Sequence, residues 1–283
     1  MKYSVVINQY KRTNFVDRAI QSCQVLIKEP EDTIEIIVVS DFPIKNVDKN
    51  ILCNVSSVGY RYTLGLKEAT GDWIFLLDDD DYMLKDRLKF YNKKALFYEA
   101  HGDYFKRFDV IKEHKSKLGT RSYMTRFLSL KYIIRKHVDW HISEYSFSKS
   151  FRDELLEKGI DKVDASLDKF LFSLALDNLS KFTLYNDSKV HIEKHRDSKM
   201  HSMNNKEKKE FYLKTADVFL KAFSEHRLQT SDYALYCEAM NTFLGMDKET
   251  YFKKHSGAYF HLKRKLPLIH RLYYSIIYRH VMR

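Results

Sequence analysis

Residues Trp73-Ile74-Phe75-Leu76-Leu77 form an unbroken apolar run that passes directly into Asp78-Asp79-Asp80-Asp81. Nothing else in the chain limits its fold so tightly. A short apolar run bounded by polar residues predicts a strand buried on both faces, and such strands belong to parallel sheets covered by helices. Four adjacent carboxylates repel and raise one another's pKa unless a cation or a basic group offsets them. Hard divalent ions such as Mg²⁺ and Mn²⁺ prefer carboxylate oxygen. Ligands of open α/β sheets bind beyond the carboxyl ends of the strands, which is where this run falls. The plainer alternative is a solvated acidic turn, with Asp81 capping a following helix.

The preceding residues supply the rest of such a sheet. Tyr3-Ser4-Val5-Val6-Ile7 predicts a first strand, Ile34 to Val39 a second and Ile51 to Val55 a third. Between the first two, Phe15, Ala19, Cys23 and Ile27 recur every four residues behind Asn14, which predicts a helix with Asn14 as N-cap. Gly65 to Ala69 predicts a brief helix ending near Gly71, and 85–99 a longer one with Leu88, Tyr91, Ala95 and Tyr98 on one side. The order is βαβ. Further on, strands are expected at 104–111 and 132–135, helices at 150–158 and 167–176, and strands at 181–185 and 189–193. From 205 onward the pattern is helical and rich in Lys, Tyr and Phe.

Charge narrows the partners. The net charge of +11 over 283 residues is concentrated in 251–283, which carry eight Lys/Arg and no Asp or Glu, whereas the first hundred residues are nearly balanced. That argues against a nucleic-acid coat protein, basic over its whole surface, and for local attraction to something anionic, phospholipid headgroups first. Leu262, Leu266, Ile269, Tyr273, Ile276 and Ile277 fall at helical spacing among the basic residues, as in helices that lie at a membrane interface. Packing on the chain's own domain, or a dimer contact, would use the same stripe. No segment reaches the roughly 18 apolar residues that span a bilayer. Cys23, Cys53 and Cys237 are too scattered for a disulfide framework or a zinc site, which suits a reducing compartment. The expected location is cytoplasmic, with peripheral attachment to the inner face of the membrane through the tail.

Three ordered stretches carry a family resemblance. Ser4-Val5-Val6-Ile7-Asn8-Gln9-Tyr10-Lys11-Arg12 resembles the opening strand and loop of glycosyltransferase family 2, usually S-V-I-I-P-T-Y-N-R. Glu35-Ile36-Ile37-Val38-Val39-Ser40-Asp41 is similar to its second strand, and the stretch from Gly65 to Asp81 to its G-L-x-x-A-x-G-D-Y-I-x-F-L-D-D-D-D. Departures are Ser40 for the first acid of the second-strand pair, Phe42-Pro43 for Gly-Ser and Asn8 for Pro. The resemblance implies an α/β fold of GT-A type, a Rossmann-like, mostly parallel sheet flanked by helices, with a helical C-terminal region. It implies a transferase domain over 1–200, with a nucleotide-binding half (1–100) and an acceptor half (101–200), and a basic helical region over 201–283.

The implied activity is inverting transfer of sugar from a UDP- or GDP-sugar to a hydroxyl of a glycan or a lipid-linked saccharide, with Mn²⁺ or Mg²⁺ as cofactor and no nucleic acid as partner. The resemblance puts Asn8 and Tyr10 in the base pocket, Asp41 on the base N–H, Asp78 at the ribose, Asp80 on the metal, and Asp79 and Asp81 in support. Arg61 falls one place early for the family's arginine and is a candidate phosphate contact. An inverting transferase needs a general base. Asp168, in Ser166-Leu167-Asp168-Lys169-Phe170-Leu171, has the expected place, although Leu167 replaces the usual Glu; Asp164 is its rival, and either could instead cap a helix. His195, and less so His191, stands where relatives carry a histidine near the metal, and Trp140 belongs to the acceptor side or the core. Two other classes are weighed against this: a sugar nucleotidyltransferase, which would carry a glycine-rich basic loop after its first strand, and a non-enzymatic basic adaptor for RNA or acidic membranes.

Overall fold

The computed structural model describes residues 1–90, 96–99, 141–164, 166–168, 170–171, 174, 182–185 and 190–193, with isolated positions between 203 and 218. The chain divides into two units, Met1–His195 and Arg196–Arg283. The first alternates β1 (Lys2–Asn8), α1 (Val16–Gln24), β2 (Thr33–Ser40), β3 (Lys49–Leu52), α2 (Val58–Glu68) and β4 (Trp73–Asp78). There follow β5 (Tyr82–Met83), β6 (Leu96–Glu99), β7 (Tyr145–Ser148), α3 (Lys149–Glu157), β8 (Phe182–Tyr185) and β9 (Val190–His191). Seven strands make one sheet in the order β3-β2-β1-β4-β7-β6-β8, and β5 pairs with β9 in a second. β3, β2, β1 and β4 are parallel; β7 runs against β4 and β6, and β8 runs with β6.

Strand alternation sorts the core into two faces. Tyr3, Val5 and Ile7 of β1, Ile36 and Val38 of β2, and Trp73, Phe75 and Leu77 of β4 pack with Val16, Ala19, Ile20 and Cys23 of α1. The opposite face carries Val6 and Val39 beneath α2, and Ile74 and Leu76 of β4. Gly65 lets that helix come close, since a Cβ there would lie 2.3 Å from Val6 Cγ1 and 3.2 Å from Val39 Cγ2. All five apolar residues of β4 are at most 1 % exposed. At roughly 1.5–3 kcal/mol per buried side chain, that strand contributes substantially to the stability of the sheet.

Several local expectations shift. The first helix begins after Phe15, not Asn14, and Phe15 makes no side-chain cap. Its buried residues include Val16, Ala19, Ile20 and Cys23, while Ile27 is 48 % exposed because the helix ends at Gln24, three residues before it. The helix before β4 is not a short turn at Gly65 but eleven residues from Val58, capped by the Ser57 side chain, which accepts from Tyr60 N–H. β3 lies at Lys49–Leu52 rather than 51–55. The helix expected over 85–99 is instead a 3₁₀ turn at Arg87–Phe90 and the strand β6. The spacing of Leu88, Tyr91, Ala95 and Tyr98 suits a helix, yet 96–99 takes a place between β7 and β8, where tertiary pairing overrides local periodicity. The strands expected at 104–111 and 132–135, Trp140, His195 and the tail 251–283 lie outside the described residues.

Candidate active site

The carboxyl ends of β1, β2 and β4 open on the same edge, and the parallel register brings Asn8 level with Val39 and with Asp78. The acids, the loop after β1 and the loop after β2 are therefore neighbours by construction. β7 completes the edge. Its antiparallel register with β4 pairs Trp73 with Ser148 and Phe75 with Ser146, and carried three residues beyond Phe75 it sets Ser143 opposite Asp78. Ser143 occupies the 3₁₀ turn Ile142–Glu144, and its hydroxyl accepts from Asp78 N–H at 2.9 Å and donates to Asp81 Oδ2 at 2.5 Å.

The four aspartates separate. Carboxylate oxygens of Asp78, Asp80 and Asp81 all lie within 4.8 Å of one another. Asp79 is not among them, is 1 % exposed, and pairs with Arg12. The same guanidinium reaches Asp80 Oδ2 at 2.5 Å. Asp78 Oδ1 accepts from Tyr62 Oη at 2.9 Å, and Asp81 Oδ1 accepts from Glu193 N–H at 3.1 Å. Arg18 donates to the Asp80 backbone carbonyl at 2.8 Å and pairs with Glu193 Oε2 at 2.9 Å, which ties the end of β9 to the acid turn. His195 follows two residues after this anchored Glu193.

Crowding carboxylates out of water raises their pKa. Burial, reinforced by Asp80 and opposed by Arg12, pushes Asp79 up to about 6. Burial and the Asp80 charge push Asp81 up to about 7, against the Ser143 hydrogen bond. Burial and the charges of Asp80 and Asp81 hold Asp78 well above the ordinary carboxylate range. The three mutually close carboxylates of Asp78, Asp80 and Asp81 form a hard-oxygen donor set that fits Mg²⁺ or Mn²⁺. These three are the residues that would hold the ion.

The loops beside the cluster are equally determined. Asp41 Oδ2 accepts from Lys11 N–H at 3.0 Å, while its Oδ1 is buried without a hydrogen-bond partner. A buried carboxylate oxygen left open costs free energy unless a ligand donor completes it. Gln9, fully buried, receives Asp41 N–H on Oε1 at 3.2 Å and donates from Nε2 to Arg12 C=O at 2.8 Å. Lys11 takes a left-handed φ of 63°, which turns the chain between these anchors. Tyr10 lies over Arg61, whose guanidinium carbon is 5.0 Å from the ring centre.

Arg61 is 1 % exposed. Its Nε donates to Asn8 Oδ1 at 2.7 Å and Nη2 to Val39 C=O at 2.8 Å, and further N–H groups reach Gln9 C=O and Cys53 C=O. The side chain implied to meet phosphate is thus taken up by the backbone where the strands diverge.

Asp168 lies in a helical stretch with Leu167, Phe170, Leu171 and Leu174, whose side chains are buried. Its backbone carbonyl accepts from Tyr145 Oη at 2.8 Å. Tyr145 is two residues beyond Ser143, so this stretch is tied to the segment that also carries Ser143. The approach is fixed further back at Gly59, whose N–H donates to Val163 C=O at 3.0 Å. His191 stacks on Tyr82 with ring centres 4.6 Å apart and is not among the clustered carboxylates. Arg12, Tyr62 and Ser143 are site residues to which the sequence assigns no role. Only Arg12 had a signal, its place at the end of the first motif.

No protein-family profile matches the sequence, and no curated protein matches it. Solved structures do. S. aureus TarS residues 1–349 in complex with UDP aligns with a TM-score of 0.53 and 15% identity, over 96% of this chain and 77% of that one. The complex of the same protein with UDP-GlcNAc gives 0.56 and 15% over 96% and 78%. The mannosyltransferase PcManGT from Pyrobaculum calidifontis, in complex with GDP-Man and Mn²⁺, gives 0.50 and 9% over 99% and 80%. At these identities the likeness is one of fold: the mostly parallel sheet with flanking helices is of GT-A type.

Proposed function

We propose that this chain is a metal-dependent inverting glycosyltransferase that moves sugar from a UDP- or GDP-sugar to a hydroxyl of a glycan or lipid-linked saccharide. One observation carries the reading. The same sheet edge holds an open buried acceptor, Asp41 Oδ1, and a set of three carboxylates suited to a divalent ion. A nucleoside diphosphate sugar has donors to match at one end, on its base, and a diphosphate requiring a cation at the other. The fold neighbours were solved with UDP, UDP-GlcNAc, or GDP-Man and Mn²⁺, which supports a ligand of this class.

On this reading Asp41 Oδ1 accepts a base N–H while Lys11 N–H and Gln9 hold the carboxylate still. Tyr10, backed by Arg61, offers its ring to the base, and Asn8 lines the same pocket. Asp78 is shared between the ribose and the ion, with Asp80 and Asp81 completing the donor set; His195 is the proposed fourth group. A bound divalent ion would neutralise charge on the departing nucleoside diphosphate. Asp168 takes the proton from the attacking hydroxyl, and its stretch is set in place by Tyr145. The basic tail is the proposed contact with a membrane bearing the acceptor.

A melting screen of nucleoside diphosphates with and without Mn²⁺ tests the reading. A ligand at a hundred times its Kd stabilises by about 2.7 kcal/mol, so the matching base should raise the melting temperature only when Mn²⁺ is present. Flat responses to all of them would remove the donor assignment. Asp168→Asn should leave that shift intact and lower turnover by about a hundredfold or more; near-normal turnover would exclude Asp168 as the base.

A further inference from the structure

Arg12 stands at a place that a scaffold residue does not need. It bridges two carboxylates of the acid turn from 67 and 68 residues away, on a side chain that is 32 % exposed. These two carboxylates differ. Asp79 is 1 % exposed and is not one of the clustered acids, whereas Asp80 is 15 % exposed and belongs to the trio that lies within 4.8 Å. The backbone beneath the guanidinium is held independently, by Gln9 Nε2 on Arg12 C=O and by Lys11 N–H on Asp41. Arg12 therefore has a permanent partner in Asp79 and an exchangeable one in Asp80.

We propose that Arg12 is the resident counter-ion of the acid cluster and yields Asp80 to a divalent cation when one binds. This rests on the cation-binding reading given above. Without an ion, the guanidinium offsets the repulsion that four adjacent carboxylates would otherwise exert. With an ion on Asp78, Asp80 and Asp81, a positive charge a few ångströms away opposes it, and the pairing with Asp79 keeps the side chain from leaving altogether. Arg12 so sets the affinity of the cation site: it stabilises the empty cluster and weakens the filled one.

The test is Mn²⁺ binding to the full chain at pH 8, without nucleotide, read by calorimetry and by loss of the free-Mn²⁺ paramagnetic resonance signal. Arg12→Met should bind Mn²⁺ about tenfold more tightly than the wild type, melt lower without the ion, and regain most of that loss at saturating Mn²⁺. Arg12→Lys cannot bridge both acids and should stay on Asp79, so it should bind about threefold more tightly, and it carries the test if the methionine variant does not fold. Unchanged or weaker Mn²⁺ binding in a folded variant overturns the proposal, since a purely structural arginine lowers the melting temperature without tightening the site. Absence of Mn²⁺ binding to the wild type overturns the cation reading itself, and the proposal with it.

Discussion

Replacing Arg61 by methionine separates two roles for one side chain. Met keeps the length and much of the apolar stem and removes all five N–H donors. Five acceptors then lose a partner: Asn8 Oδ1 and the carbonyls of Gln9, Val39, Cys53 and Val55, of which Val39 C=O keeps Gln9 N–H. They converge on a guanidinium that is 1 % exposed. Orphaning a buried acceptor costs about 1–3 kcal/mol. Relaxation of the strand ends will let water reach some of them, so the expected loss is about 3–5 kcal/mol rather than the full sum.

For a chain of this size each kcal/mol moves the melting temperature by about 2–4 °C. The variant should therefore melt roughly 10 °C lower without any ligand, by fluorimetry or circular dichroism. Arg61→Lys, which retains the charge but spreads three donors from a single nitrogen, should fall about half as far. A phosphate contact predicts the reverse pattern: an unmoved melting temperature without ligand and a lost response to nucleoside diphosphate. A drop below about 2 °C would refute the carbonyl-clamp argument, because it would mean that water replaces the guanidinium at no cost.

Gly59→Ala should lower stability by about 1–3 kcal/mol, the usual range for overpacking, because its Cβ would lie 2.1 Å from Ile160 C=O oxygen and 2.3 Å from that of Val163. If Asp168 is the base, turnover should fall more than nucleotide binding does, since the displaced segment leads to Asp168; equal losses in both would argue against that link. The acids make a pH prediction whose sign is set by their raised pKa. Asp79, at about 6, and Asp81, at about 7, hold protons in the folded state that the unfolded chain releases near pH 4. Their contribution to stability is present below pH 4 and lost as pH rises through 6 and 7. Ion-free protein should thus lose stability across that window, and added Mn²⁺ should restore it most above pH 7; a melting temperature flat from pH 4 to 8 in chelator would contradict the buried, protonated cluster.

The sheet was legible because its signal is local. Val5-Val6-Ile7, Ile36-Ile37-Val38-Val39 and Ile74-Phe75-Leu76-Leu77 are apolar on both faces, and runs of that kind have few other places to go. The acids at the end of β4 were legible for the same reason, as was Cys23, whose burial pushes its thiol up to about 12 and leaves it an inert core residue. What could not be read is whatever depends on pairing across long separations. The segment 96–99 has helical spacing and becomes a strand only because β7 and β8 lie on either side.

The same separation explains why the site could be recognised without being resolved into roles. The sequence says that four aspartates need a cation, and it cannot say that the cation is in part already covalently attached. Arg12 meets Asp79 and Asp80 only once β1 and β4 are laid side by side in register, which also brings Asn8 level with Asp78. Ser143 meets Asp81 only once β7 is set antiparallel on β4. Each of these contacts is a consequence of strand order, and strand order follows from burial rather than from the residues that use it. The division of the run into Asp79, paired with Arg12, and the mutually close trio Asp78, Asp80 and Asp81 is therefore written in the sheet topology, and a substitution that shifted the register of β1 on β4 by two residues would carry Arg12 roughly 6–7 Å along the strand and dissolve that division with all four aspartates still in place.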